Sequence, residues 1–384
     1  MFRLRTLVAL FSLIFAPAGR AQLGKSVMIP AGSEADRQLS AINAASDPAQ
    51  KLQLIDQFSQ AHPDGDLQIV ADEQYVSYYI NTKQYDRAFE YGDKLFALDP
   101  NNYSNAVNMV RAANEKGDTD KLYAYGEKSV AIGHGFKAAP APEGTSSDNW
   151  TRIQTERLES IKDNENYIEQ SLLGAAYAVK DPNKRANYFL RFAKMYPDTA
   201  QGEQALTLAV SSYQQAQNRA KMQEVANAAF AKDPNNVGIL LLLADDYSEK
   251  PDQLDKAEAY AKKASTLLDT AKKPENLTDE QWKQQTSIQK GLALSALGQV
   301  NIGKKQNAVA VDNLTKAAPL LKSNAALYAR NQYRLGFAYL NLKRNSEAKQ
   351  AFTDAASLDT PYKGPAQQKL TELSGAKATP KKAS

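Results

Sequence analysis

Catalysis and metal binding need a small set of side chains brought to one point, and this chain offers few of them. It has two histidines, His62 and His134, and no cysteine. A structural or catalytic metal draws several imidazole, thiolate or carboxylate ligands together, and no Cys or His cluster supplies such a set. Acids stand side by side at Asp245-Asp246 and Asp279-Glu280. Successive helical residues point to different sides, so neither pair is placed to share a proton, and solvated or helix-capping carboxylates are the reading they support. Gly133-His134-Gly135 lacks the strand-to-helix setting of a phosphate loop, and neither a Gly-x-Ser-x-Gly turn nor a His-Glu-x-x-His pair occurs. The chain is therefore expected to be non-enzymatic, with no cofactor and no metal.

Aromatic side chains are the other candidates for ligand contact. There are 19 tyrosines against two tryptophans, and a dense group lies at Tyr75, Tyr78, Tyr79, Tyr85, Tyr91, Tyr103, Tyr123 and Tyr125. Tyrosine joins an apolar ring to a polar tip, so such a group either fills a helix seam or stacks on a sugar or peptide. Core packing is the favoured reading.

Charge and leader chemistry set the compartment. A basic start (Arg3, Arg5), an apolar stretch from Leu7 to Ala16 and the small residues Ala18, Gly19 and Ala21 read as an export signal, 1–21, cut after Ala21 or Ala18. That stretch is too short to span a bilayer core, which needs about 20 apolar residues, and no other one competes with it. No transmembrane segment is expected once the signal is removed. The formal charge is +4, but Arg3, Arg5 and Arg20 fall in the signal and leave 44 basic against 43 acidic groups. Near-neutrality with interspersed signs disfavours nucleic acid as a partner.

The elements that would carry any site repeat along the chain. Tyr91-Gly92-Asp93-Lys94-Leu95-Phe96-Ala97-Leu98 returns 34 positions later as Tyr125-Gly126-Glu127-Lys128-Ser129-Val130-Ala131-Ile132. The clearest unit reads Leu335-Gly336, Tyr339, Ala348, Phe352, Ala355 and Pro361. The same spacing occurs in Leu173-Gly174, Tyr177, Ala186, Leu190, Ala193 and Pro197, and in Leu297-Gly298, Asn301, Ala310, Leu314 and Ala317. A small residue on each helix lets two antiparallel helices approach, larger side chains fill the seam, and proline ends the unit. Partial copies follow at Tyr79, Ala88, Leu95, Pro100, at Tyr213, Ala226, Ala229, Pro234, and at Ala244, Tyr247, Ala257, Ala264.

In these residues the chain resembles the tetratricopeptide-repeat family, whose 34-residue unit carries Leu-Gly-x2-Tyr, then Ala, Phe and Pro. The family's early tryptophan is replaced by Gln170 and Gln332. The resemblance implies an all-α superhelix of antiparallel pairs, an α-solenoid, whose first helices line a groove for a protein or peptide. Carried over by register, that groove holds Thr207, Ser211, Gln214 and Gln215 in one unit and Arg330, Tyr333, Phe337 and Asn341 in another. Their amides suit an extended peptide backbone, whereas Phe337 and Leu340 also suit burial against a terminal helix.

The expected organisation is a signal at 1–21, a flexible segment at 22–33, an N-terminal repeat arm at 34–132, an exposed loop at 133–149, a C-terminal arm with a capping helix at 150–375 and a disordered tail at 376–384. Gly-His-Gly followed by Ala-Pro-Ala-Pro makes the loop assignment. Long helices are expected from about Asn149 to Val179 and from Asp279 to about Ile302, with a break at 272–278. The implied function is a scaffold binding protein segments in the periplasm or at the outer envelope, or secreted; the alternative is a carbohydrate or cell-wall binding module using exposed tyrosines. Replacing Gly336 by Leu or Ala348 by Phe should overpack the closest helix contact and cost about 1–3 kcal/mol. A thermal melt left unmoved by either change would show that the register of the last unit is wrong.

Overall fold

The computed structural model describes residues 23–275 and 277–375, and among them the elements are α-helices joined by turns and short coil. One compact unit comprises α1 (Glu34–Ala44), α2 (Pro48–Ala61), α3 (Asp66–Asn81), α4 (Tyr85–Leu98), α5 (Tyr103–Lys116), α6 (Thr119–Ala138) and α7 (Ser147–Ala178), with residues 191–197. A second comprises residues 181–190 with α9 (Ala200–Gln215), α10 (Arg219–Lys232), α11 (Val237–Ser248), α12 (Leu254–Thr270), α13 (Asp279–Gly303), α14 (Asn307–Leu321), α15 (Ala325–Asn341), α16 (Asn345–Ala356) and α17 (Lys363–Leu373). Helix α8 (Pro182–Met195) contributes to both. Residues 34–132 and the 133–149 segment both fall in the first unit.

One turn recurs between the helices of a pair. The residue at its centre takes a left-handed conformation: Lys83 (φ 58°), Gly117 (74°), Gln217 (56°), Lys305 (59°) and Lys343 (59°). Each time the next N–H reaches back to a carbonyl five residues earlier, as in Gln84 to Tyr79, Asp118 to Ala113, Asn218 to Tyr213, Gln306 to Asn301 and Arg344 to Tyr339. This bond satisfies carbonyls that a helix end leaves without partners, and it explains why the tyrosine position of the repeat has a fixed distance to the turn. Helix starts are closed by side chains: Asp47 caps α2 before Pro48, Asn102 caps α5, and Thr278 with Gln281 forms a capping box on α13.

Small residues set the pair spacing. Ala88, Ala186, Ala226, Ala257, Ala310 and Ala348, the alanines of six repeat copies, are all fully buried. A Cβ on Gly336 would lie 2.6 Å from the Phe352 ring, and one on Gly298 would strike Leu314. Gly174 differs: a Cβ there would meet nothing within 4 Å, and Tyr177 of the same copy is 53% exposed. That copy keeps the spacing of the repeat without the close contact. The last pair is closed by α17, whose Ala366 and Leu370 pack with Phe352, Tyr333 and Phe337.

Two expectations are corrected by tertiary contacts. Residues 133–138 are helical, so the coil is confined to 139–146 between α6 and α7. The glycines are held in the helix because Phe136 packs edge-on against Trp150 at 5.5 Å, while Gln154 donates to the carbonyls of Phe136 and Lys137. Trp150 Nε1 also donates to Ala139 O, which ties down the end of α6. The segment expected to be flexible, 22–33, is anchored at its described start: Leu23 is 3% exposed and its carbonyl accepts from Tyr103 N–H. The signal at 1–21 and the tail at 376–384 lie outside the described residues. Among the described residues no helix is long and apolar enough to cross a membrane. Gly298→Ala should lower stability by about 1–3 kcal/mol, whereas Gly174→Ala should raise it by about 0.5–1 kcal/mol by removing backbone freedom from the unfolded chain. Urea melts of the two variants check both signs.

Candidate binding groove

Helix α11 begins as an apolar element, with Ile239, Leu240, Leu241, Leu243 and Ala244 all buried. Its last turn then carries Asp245 and Asp246, each 8% exposed, so these are not the solvated acids that the sequence suggested. They do point to different sides. Asp245 accepts from Arg330 Nη1 at 2.6 Å and Gln214 Nε2 at 3.0 Å on one oxygen, and from Arg334 Nη2 at 3.0 Å on the other. Asp246 takes Arg219 at 2.7 Å, Gln223 at 2.8 Å and Lys250 at 2.9 Å. Arg334 continues to Glu249 at 3.3 Å and Ser295 Oγ at 3.4 Å. The network therefore joins the first helices of successive pairs, α9, α11, α13 and α15.

Burial alone would push the Asp245 carboxyl up, but the charges of Arg330 and Arg334, reinforced by their hydrogen bonds, hold it below the usual carboxylate range. The Arg334 side chain is itself buried, 5% exposed, and that of Arg330 is largely covered at 16%. Taking such groups out of water costs several kcal/mol per ion, so the pairing keeps a penalty small rather than adding large stability.

Above this floor lies an open groove. A cavity of about 410 Å³ is bounded by Gln214, Arg219, Asp245, Glu249, Arg330 and Tyr362. A second of about 310 Å³ shares Glu249, Arg330 and Tyr362 and adds Gln299, Ile302, Tyr333 and Phe337. One end is polar and the other aromatic. Tyr333 is fixed by Phe337 at 5.0 Å, Phe352 at 5.6 Å and Tyr362 at 5.6 Å, so the aromatic wall is preset. Burial raises the Tyr362 phenol, and the two arginines partly offset that.

Of the register-derived residues, Gln214, Arg330, Tyr333 and Phe337 come together here. The others do not line these cavities. Thr207 bonds Glu203 O within α9 and packs its methyl where α11 starts, against Gly238. Ser211 is exposed on α9, Gln215 accepts from Arg185, and exposed Asn341 donates to Asn307 on α14. Sequence reasoning missed Asp245, Arg334 and Tyr362. Two arginines at 330 and 334 on one helix face, together with an acid ending an apolar run, were the available signals.

The tyrosine group of the first unit is mostly interior. Tyr75, Tyr78, Tyr79, Tyr103, Tyr123 and Tyr125 are all buried, and Tyr75 stacks on Tyr91 at 4.1 Å while its hydroxyl donates to Asp56. Burial and the Asp56 carboxylate both raise the Tyr75 phenol.

These features define the class: helix pairs with small-residue seams, a recurring left-handed turn and a groove on their first helices. Residues 329–361, the pair α15–α16, match the family described as tetratricopeptide repeat. That pair is similar to a tetratricopeptide repeat. Similar solved structures include the APC/C hetero-tetramer Cut9-Hcn1, with 14% identity over 89% of this chain and TM-score 0.43. This chain spans 64% of the length of that one. The P58(IPK) TPR domain has 10% identity over 89% of this chain and 99% of its own, with TM-score 0.27. Yeast Tom70 has 12% identity over 88% of this chain and 94% of its own, with TM-score 0.31. No curated protein matches the chain.

Asp245→Asn should destabilise the second unit by about 3 kcal/mol or more, because it leaves two buried guanidinium groups short of charge. The Asp245 carboxyl is lowered in the fold, so its contribution is full above the unfolded carboxylate value and is lost as pH falls through the folded one. The gap between wild type and variant in urea melts should therefore narrow below about pH 4.

Proposed function

We propose that the protein is an exported, non-enzymatic scaffold of the cell envelope whose second unit holds a protein or peptide segment in the α9–α11–α13–α15 groove. The single observation that carries this reading is the joining of the two cavities at Glu249, Arg330 and Tyr362. Their amides, Gln214 and Gln299, offer both donors and acceptors to an extended backbone, and the Tyr333–Phe337 wall offers an apolar place for a side chain. A floor already neutralised by its own ion pairs selects neither a strongly acidic nor a strongly basic ligand. Export rests on the residues of the 1–21 segment. The carbohydrate alternative needed tyrosines exposed on one face, and the burial of six of the eight grouped tyrosines removes that support.

A photo-crosslinking amino acid placed at Tyr362, with a second protein carrying it at Lys262 on α12 as the control, tests the groove in intact cells. Protein adducts at position 362 and none at 262 are expected. Equal labelling at both positions, or polysaccharide in place of protein at 362, would overturn the reading.

A further inference from the structure

The face of α15 that lines the second cavity alternates cations with rings. Arg330, Tyr333, Arg334 and Phe337 stand at i, i+3, i+4 and i+7, the spacing that puts four side chains on one side of a helix. Tyr333 and Phe337 meet edge to face at 5.0 Å with an interplanar angle of 80°, and Phe337 meets Phe352 in the same way at 5.5 Å and 89°. Helix α17 packs Leu370 and Leu373 on this cluster, yet Tyr333 and Phe337 stay half-buried and line the cavity. The rings therefore do more than seal the last pair.

The charges decide what can fill this space. Arg330 and Arg334 are both held by Asp245, so neither guanidinium is free to swing out to water when a ligand covers it. An aliphatic side chain would strip water from them and return no polar contact. A ligand ammonium would face two fixed cations, and the Glu249 carboxylate that could offset them already lies 3.3 Å from Arg334. A ligand carboxylate would meet Glu249 and the negative faces of the rings. An aromatic ring answers both walls: its negative face suits the guanidiniums, and its positive edge suits the faces of Tyr333 and Phe337. The second unit already uses this pairing at the same ring, where Lys369 Nζ lies 5.6 Å from the Phe337 centroid. Size agrees with chemistry, since about 310 Å³ is at the low end for a ligand pocket and leaves room for one ring with the backbone that carries it.

We propose that the aromatic end of the groove is a specificity pocket for one aromatic side chain of the bound segment, selected by charge complementarity with the Arg-Tyr-Arg-Phe face of α15. The ligand class is then an extended peptide anchored by a phenylalanine, tyrosine or tryptophan, with Gln214 at the polar end meeting the backbone beside the anchor. Such selection presupposes that the groove of the second unit binds peptide, as proposed above.

A phage-displayed library of short random peptides, panned against the full chain, tests both levels. Binders are resynthesised with the anchor changed to leucine, and Kd is measured for each pair on wild type, Phe337→Leu and Gln214→Ala. One peptide position enriched in Phe, Tyr or Trp is expected, with leucine there raising Kd about three- to tenfold on wild type. On Phe337→Leu that ratio should fall towards one, because a ring that reads the anchor is gone, while Gln214→Ala should weaken both peptides alike. Peptides that need Gln214 but show no aromatic enrichment, or a leucine cost equal on wild type and Phe337→Leu, would overturn the pocket and leave the groove standing. Binding indifferent to Gln214→Ala and Phe337→Leu together places the peptides elsewhere and removes both readings, as does a library that yields no binder. Should Phe337→Leu not fold, Tyr362→Leu takes its place, since it removes a ring of the same wall from the N-cap of α17.

Discussion

Everything in this molecule depends on how closely two antiparallel helices can lie. A helix has a fixed backbone radius, so the distance between partners is set by the side chains at their crossing, and only Gly and Ala bring the backbones into near contact. The fully buried alanines of six copies, with Gly298 and Gly336 under Leu314 and Phe352, place that constraint at one recurring position. From it follow the tight left-handed turn that returns the chain, the seam filled by Leu, Tyr and Phe, and the regular presentation of the first helices. No disulfide shares this burden, because the chain has no cysteine.

The repeat was legible because its cause is local. Gly336, Tyr339, Ala348 and Phe352 sit a few turns apart in sequence and touch in the fold, so their spacing reports their contact directly. The same holds for the long helices α7 and α13. The Gly133–Ala138 stretch was misread because its helicity comes from Trp150 and Gln154 on the next helix, and glycine propensity is a weak term against such contacts. Residues 23–25 were misread for the same reason: their partners are Asp99 and Tyr103.

The groove was legible in part. Register alone put Gln214, Arg330, Tyr333 and Phe337 on first helices, and they do line its walls. What register does not contain is which residues meet across several pairs. Asp245 bonds partners 85 and 89 positions away, a relation fixed by the winding of the second unit and by no spacing within a repeat. Its neighbour Asp246 serves a local role on α10 and α11, which shows how one step along a helix separates two functions.

The Asp245 network also bears on how the second unit comes apart. In an array where each pair touches only its neighbours, stability is close to a one-dimensional sum, and the ends fray independently of the middle. A buried carboxylate on α11 gripped by two arginines on α15 adds a bond that skips intervening helices. Peeling α15 away would strand a charge in the interior of α11, and opening α11 would strand two on α15. The penalty for partial opening therefore falls on both ends at once, so this stretch is driven to unfold as a single cooperative block instead of unravelling pair by pair.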